Sequence, residues 1–315
     1  SDVVPSANAS YEIRARATET VCVRALTQKR GQAAQFAYID ALLVAVQDAI
    51  VDLGQRRPPE LAVAEVVPGR LQGAARAVLG GKEDIAAKRQ AQGCGIGAGA
   101  PFFLRAAPYS KILIEINATV GAAPRQAAID HLKKVMEDVC GKPGAVTAQV
   151  TDAAIAAPGH ALTVDDVRAL EDAHRTRFNG GDTVVFYYLV VSDPSSDDTN
   201  QAKVLGLAHR ASSMVIFQGT IDKIAGGIGQ PSRETVESTV VAHELGHVLG
   251  LVNIGTKMTQ PHEDAMHPGH DANTKCLMYW ANNSSSLVAN LLQGGVVADF
   301  DAACRADLAA ARAGN

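Results

Sequence analysis

The residues of this sequence best suited to do chemistry are His243, Glu244 and His247, in the segment HELGH. Side chains four residues apart on a helix share one face and lie one turn apart, so both imidazoles can reach a single metal ion. Imidazole is a preferred zinc ligand, and a carboxylate beside the metal can take a proton from a water molecule there. The pattern HExxH therefore predicts a zinc ion held by the two histidines, with Glu244 as the general base.

A helix has to position these three side chains, and the flanking sequence predicts one from Ser232 to Gly250. Serine is a favourable N-cap, and glycine is a favourable C-terminal stop. Apolar residues surround the polar trio on this helix, namely Val240, Val241, Leu245, Val248 and Leu249. Three half-buried ionisable groups cost free energy unless they are paired or bind a metal, which favours the zinc interpretation over a chance match.

The segment HELGHVLG, followed later by CLMYW, resembles the metzincin clan of zinc peptidases. The pattern of that clan is HExxHxxGxxH, with a downstream turn that contains a methionine. His243, Glu244, His247 and Gly250 match it. The clan's third ligand position falls on Asn253, and an amide is a poor zinc ligand beside imidazole or carboxylate.

His270 is the third ligand that the resemblance favours. In matrix-metalloproteinase-like and archaemetzincin-like members the third His lies eight residues before the Met of the turn, as His270 does before Met278. HDANTKCLM also resembles the archaemetzincin pattern HCxxxxCxM, with Asp271 in place of a Cys. An insertion of 17 residues, from position 253 to position 270, accounts for the shift. Met278 would then form the hydrophobic floor under the histidines. The other candidate ligands are His262, Asp264, His267 and Asn253.

The resemblance implies a zinc-dependent endopeptidase that hydrolyses peptide bonds of a peptide or protein substrate through zinc-activated water, with Glu244 as the base. In the clan, the edge strand before the zinc helix holds the substrate in extended form, and here KVLGLAH or SMVIFQ would be that strand. One competing function is a non-hydrolytic secreted binding or adhesion protein that keeps the peptidase fold. Another is a zinc hydrolase of a non-peptide amide, because HExxH specifies activated water and not the bond attacked.

Hydrophobic periodicity predicts two domains. Residues 1–107 read as a mainly helical N-terminal domain of unknown role, which could be a pro-domain or an accessory domain. Its best helix is GQAAQFAYIDALLVAVQDAIVDLG, and the Gly-rich run GCGIGAGAP lies just before the boundary. Residues 108–315 read as the zinc peptidase domain.

From Lys111 onwards the pattern is α+β and fits the clan's twisted mixed sheet, active-site helix, Met turn and C-terminal helix. The predicted strands are KILIEINATV, AVTAQVT, GDTVVFYYLVVS, KVLGLAH and SMVIFQ. Beside the zinc helix, the predicted helices are PRQAAIDHLKKVMEDVCG, one that opens at a Thr163–Asp166 capping box, and DAACRADLAAARA.

Composition and charge exclude other classes of protein. A net charge of -4 with scattered Lys and Arg offers no basic stripe for nucleic acid. Apolar runs such as VVFYYLVV are far short of the ~20 residues of a membrane-spanning helix. The small, polar start SDVVPSANAS is typical of a chain after removal of an export signal, which predicts a secreted, periplasmic or cell-surface protein.

The five cysteines lie far apart and form no CxxC pair, which excludes zinc-ribbon and thioredoxin-like sites. Cys94 could be a thiolate that caps the zinc of a latent precursor, one half of a disulfide, or a free surface thiol. Cys276 could pair with Cys304 and fix the Met turn to the last helix, or both thiols could be free and buried.

Overall fold

The computed structural model describes residues 95–151, 154–287 and 297–314. The chain divides into two units between Cys94 and Gly95, and the predictions for the N-terminal helix and for Cys94 lie outside the described residues. In the second unit, the first helix, α1 (Ala100–Leu104), packs Phe103 edge-to-face on Phe186 with ring centroids 5.9 Å apart. Because this segment is part of the second unit's core, the boundary lies at 94/95 rather than at the predicted 107/108.

A five-stranded, mostly parallel sheet forms the centre of this unit, in the order β2-β1-β3-β5-β4. Only β4 runs antiparallel to its neighbour β5, with a bulge between Ala208 and Arg210. All five predicted strands are confirmed, with the bounds β1 (Lys111–Ala118), β2 (Val146–Val150), β3 (Thr183–Val191), β4 (Gly206–Arg210) and β5 (Ser213–Phe217). The pairing makes β4 an edge of the sheet and places β5 inside it.

Strand β3 is buried from Val184 to Val191 because both faces of the sheet are covered. Alternate residues Val184, Phe186, Tyr188 and Val190 belong to the main hydrophobic core, which includes α2 and the long helix α5. Tyr187, Leu189 and Val191 point to a smaller core on the opposite face, beside α3. The sheet is therefore a middle layer between two sets of packed side chains, as the mixed α/β architecture requires.

The helices after the first strand are α2 (Gln126–Val139), α3 (Val164–His174), α4 (Gln218–Ile224), α5 (Arg233–Val248) and α6 (Ala302–Arg312), with a 3-10 turn at Trp280–Asn283. The predicted capping box of α3 is confirmed: Thr163 Oγ1 accepts from the N–H of Asp166, and the Asp166 carboxylate accepts from the N–H of Thr163. Helix α4 was not predicted. It is short, and it begins directly after the last residue of β5.

Among the residues that the structure describes, no helix is both long and apolar enough to cross a bilayer. The prediction of export stays a prediction.

Candidate metal centre and active site

Helix α5 carries the predicted zinc motif and is buried continuously from Val236 to Val248. Its N-terminus is capped as predicted, because the Ser232 hydroxyl accepts from the N–H of Thr235 at 3.1 Å. The helix ends at Val248, and Gly250 follows with φ of 73°, a left-handed conformation that favours glycine. Because the helix is buried over this stretch, His243 and His247 lie one turn apart inside the protein rather than on its surface.

The imidazole of His243 is oriented by the backbone of the Met turn. Its Nδ1 lies 2.7 Å from the carbonyl oxygen of Leu277, so Nδ1 carries the proton and donates. The remaining nitrogen, Nε2, then has a free lone pair. It faces Nε2 of His247 at 3.0 Å. A carbonyl that fixes the tautomer of a histidine in this way is the usual outer partner of a metal-binding imidazole.

His270 joins these two histidines from a different part of the chain. Its ring centroid lies 5.3 Å from that of His243 and 4.9 Å from that of His247. One ring nitrogen of each of the three residues lies within 4.8 Å of the others. The structure therefore brings together the three residues that the resemblance selected as ligands.

The alternative third ligands lie elsewhere. Both ring nitrogens of His262 contact carboxylates, and His267 pairs with Asp264 at 2.7 Å while its ring stacks on Trp280. The exposed Asn253 donates its amide to Glu263 at 3.2 Å. Within the described part of the chain, only His270 of these candidates groups with His243 and His247.

The three imidazoles fit the requirements of a zinc ion. Burial, reinforced by nearby His270, lowers the pKa of His243 to about 3, and burial with the two other histidines lowers the pKa of His247 well below its usual value. Both rings are thus neutral and can offer lone pairs. Nitrogens bonded at about 2.0–2.1 Å to one tetrahedral ion lie about 3.3 Å apart, close to the observed 3.0 Å between the Nε2 atoms.

Unpaired nitrogen atoms support the same fit. In the described residues, Nδ1 of His247 and both ring nitrogens of His270 are buried without a hydrogen bond. The carbonyl groups of His267 and Pro268 lie near the His270 ring, but neither nitrogen forms a hydrogen bond to them. Buried polar atoms are rarely left without a partner, and a cation beside the Nε2 atoms of His243 and His247 would supply one to a single nitrogen of His270. Such an ion would not reach Nδ1 of His247, because an imidazole binds one ion through one nitrogen.

Glu244 follows His243 in the chain, and its side chain is fully buried. Its Oε2 accepts from the N–H of Ala208 on β4 at 2.6 Å, while Oε1 has no partner in the described structure. Burial raises the pKa of Glu244 to about 8, against the opposing effect of the hydrogen bond from Ala208. A divalent cation nearby would favour the ionised form and lower this pKa. Glu244 therefore has one buried carboxylate oxygen, Oε1, that is without a partner among the described residues.

The Met turn packs against the helix that carries His243 and His247. The N–H of Tyr279 donates to the carbonyl of Cys276 at 3.1 Å, which closes the turn around Met278. Met278 is fully buried, and its sulfur lies against Gly246, the residue before His247. The predicted floor is therefore packed against the zinc helix.

Asn282 is a supporting residue that the sequence analysis missed. Its amide donates to the carbonyl oxygens of Cys276 and Leu277 at 3.0 and 2.9 Å. The Leu277 oxygen also accepts from His243, so Asn282 fixes the group that orients this imidazole. A single Asn after the turn gives no sequence signal for such a role.

Cys276 and Cys304 lie close together without a disulfide between them, so the structure shows the second predicted alternative, free buried thiols. Their sulfur atoms are 3.6 Å apart, and both thiols are free and buried. Together with Asp271 and Asp301 they form a second group whose donor atoms lie within 4.8 Å of one another.

Gly206 on β4 lets the zinc helix approach the sheet edge closely. A Cβ at this position would lie 2.5 Å from Cγ1 of Val240 and 3.0 Å from Cγ of Glu244. We expect Gly206→Ala to lower the free energy of unfolding by about 1–3 kcal/mol through overpacking. Gly180→Ala is the matched control, because its Cβ would meet no heavy atom closer than 3.9 Å. Urea denaturation of both variants tests this prediction. A Gly206→Ala variant as stable as Gly180→Ala would contradict the close packing of β4 on α5.

No family model and no curated protein matches the chain. Among solved structures, it is similar to the crystal structure of archaemetzincin from Methanopyrus kandleri, at 18% sequence identity and a TM-score of 0.42. The match covers 64% of this chain and 96% of that chain. A likeness at this level carries no functional argument, so the chemistry rests on the site itself.

Proposed function

We propose that the protein is a zinc-dependent endopeptidase. The observation that carries the proposal is the convergence of His243, His247 and His270 from two separate segments, together with the buried carboxylate of Glu244, the residue after His243. Three neutral imidazoles with an adjacent glutamate are the residue types of a catalytic zinc site. A bound zinc would polarise the scissile carbonyl and make water a nucleophile at neutral pH.

The residues of the chain would divide the remaining work. Glu244 takes the proton from the attacking water on its unpaired Oε1 and delivers it to the nitrogen of the leaving amine. The hydrogen bond from Ala208 holds Oε2, so the carboxylate keeps one orientation during both transfers. His243, His247 and His270 bind the metal. Asn282 fixes the Leu277 carbonyl that orients His243, and Met278 packs against the helix at Gly246.

The outer edge of β4 would hold the substrate. Of the two strands considered from the sequence, β4 is at the edge of the sheet and β5 is internal, so only β4 has an edge at which a peptide can add. Strand β4 also contains Ala208, the residue that contacts Glu244. An extended peptide along β4 therefore lies next to the proposed base.

The test is cleavage of a mixed peptide library by the zinc-loaded full-length chain, with products identified by mass spectrometry. We expect internal peptide bonds to be cut, in a pattern set by the residues that line β4. One bound zinc without cleavage of any peptide would contradict the endopeptidase and favour a non-hydrolytic binding protein.

Removal of the metal should abolish cleavage and also lower stability. We expect a chelator to eliminate activity and one equivalent of zinc to restore it, because the histidines do no hydrolysis alone. Zinc that binds only the folded chain adds about 4 kcal/mol to the free energy of unfolding at 1,000 times its Kd. Thermal unfolding with and without zinc measures this, and full cleavage by metal-free protein would contradict the mechanism.

A further inference from the structure

His270 is placed by the backbone of a short hairpin, residues 262–272. The carbonyl of His262 accepts from the N–H of Ala272 at 2.9 Å, and the N–H of Asp264 donates to the carbonyl of His270 at 2.8 Å. The imidazole of His270 itself forms no hydrogen bond within the described residues. The position of this ring therefore depends on what anchors the hairpin to the rest of the protein.

The strongest anchor is the side chain of His262, which lies between two buried carboxylates. Its Nδ1 is 2.7 Å from Oδ2 of Asp271, and its Nε2 is 2.8 Å from Oδ2 of Asp307. The side chains of His262, Asp271 and Asp307 are 8%, 1% and 0% exposed. Asp271 follows His270 directly, whereas Asp307 lies on the C-terminal helix α6. The imidazole of His262 therefore joins the hairpin that carries His270 to that helix.

The chemistry of this contact requires a charged imidazole. A carboxylate only accepts hydrogen bonds, so both ring nitrogens must donate. Burial alone lowers the pKa of His262, but the hydrogen bonds to Asp307 and Asp271 outweigh it and raise the pKa. Both carboxylates have further donors: the N–H and hydroxyl of Thr259 for Asp307, and the N–H of Asn273 for Asp271. A buried network that is satisfied in this way is rigid, and loss of one member leaves a buried charge unpaired.

The backbone of Asp271 extends the connection to the Met turn. Its N–H donates to the carbonyl of Met278 at 2.9 Å. One short segment thus connects the proposed ligand His270 to the Met turn at Met278. It also includes Asp271, whose contact with His262 and, through it, with Asp307 we call the clamp. A weaker second anchor is Glu263, whose carboxylate accepts from the amide of Asn253 and the N–H of Gly269.

We propose that His262 is a positioning residue that holds His270 at the metal site by binding Asp271 and Asp307 together. The inference rests on the metal centre of the proposed function. His262 does not act as a ligand in this role, because carboxylates occupy both of its nitrogens. When the clamp is lost, the weaker anchor at Glu263 keeps the hairpin attached but does not fix the position of His270. His270 therefore becomes mobile, while His243 and His247 stay on their helix.

The test compares His262→Gln with wild type in the full-length chain. Glutamine can donate to one carboxylate but turns its own oxygen towards the other, so the clamp opens. We expect the Kd for zinc, measured by competition with a chelating dye, to rise about 10- to 100-fold, as for other outer partners of metal ligands. The exposed His174→Gln is the matched control and should bind zinc like wild type. Asp307→Asn, which keeps shape and one acceptor, should raise the Kd less.

Two further readouts separate positioning from general stability. Circular dichroism establishes that each variant is folded at the temperature of the zinc titration. Cobalt(II) in place of zinc reports the ligand set by its visible absorption, and the His262→Gln spectrum should shift towards that of His270→Ala. If His262→Gln does not fold, Asp307→Asn carries the comparison.

The outcomes are distinct. A folded His262→Gln with wild-type zinc affinity and a wild-type cobalt spectrum would overturn the positioning role and leave the proposed function intact. Zinc binding by the wild type without peptide cleavage would contradict the endopeptidase alone. In that case, a weakened metal site in His262→Gln still supports the clamp.

Discussion

Glu244→Gln is expected to bind zinc like wild type and to lose about 10²- to 10⁴-fold in kcat/KM for peptide cleavage, the range for removal of a general base. The amide matches the carboxylate in shape and can still contact the N–H of Ala208 through its oxygen, but it cannot take a proton from water. Zinc content by atomic absorption and cleavage kinetics on the same samples measure both effects.

Glu234→Gln is the control for this substitution, because Glu234 lies in the exposed first turn of the same helix. We expect it to keep zinc and to cleave within about twofold of wild type, since surface changes of this kind have small effects. Wild-type turnover by a zinc-loaded Glu244→Gln would show that another group accepts the proton.

His270→Ala is expected to have the second large effect, the loss of most zinc binding together with activity. Outer partners of ligands alone contribute 10- to 100-fold to metal affinity, so removal of a ligand should raise the Kd by more than about 100-fold. The fold should persist, because His270 is half-buried and its ring forms no hydrogen bond in the described chain. Equilibrium dialysis against zinc buffers gives the Kd directly.

His174→Ala, at the exposed end of α3, controls for loss of a histidine as such. Retention of both zinc and cleavage by His270→Ala would move the third ligand to Asn253 or to the stretch from His262 to His267. The structure gives no reason to expect this, since those side chains are engaged with Glu263, Asp264, Asp271 or Asp307.

Much of the site could be predicted from sequence because its central element is local. The spacing of His243 and His247, the cap at Ser232 and the glycine at Gly250 act within one helix, and helical geometry alone places both imidazoles on one face. The strands could be predicted for the same reason, since β3 is a single apolar run and the capping box of α3 spans four residues.

What the sequence could not predict depends on contacts between distant segments. The order β2-β1-β3-β5-β4, which makes β4 the edge strand, follows from pairing and not from any strand's own residues. The Gly-rich run has the composition of a linker and so predicts a boundary at 107/108, whereas the boundary lies at 94/95. Gly97 and Gly99 instead allow close backbone packing on Ile254 and Ala211.

The third histidine shows the same division. His270 could be selected only through the residues that follow it, namely its distance from Met278 and the likeness of HDANTKCLM to the archaemetzincin pattern. In the structure, long-range partners distinguish His262 from it, since Asp307 engages His262 from 45 positions away in the chain. Asn282 and the clamp at His262 were missed because such contacts leave no periodic or spacing signal.

The most direct test is the location of zinc in crystals of the zinc-loaded chain, by anomalous scattering at the zinc absorption edge. We expect a peak at about 2.0–2.1 Å from one ring nitrogen of each of His243, His247 and His270, with Glu244 beside it. A zinc peak only at the group of Asp271, Cys276, Asp301 and Cys304, with none between the three histidines, would contradict the proposed catalytic centre.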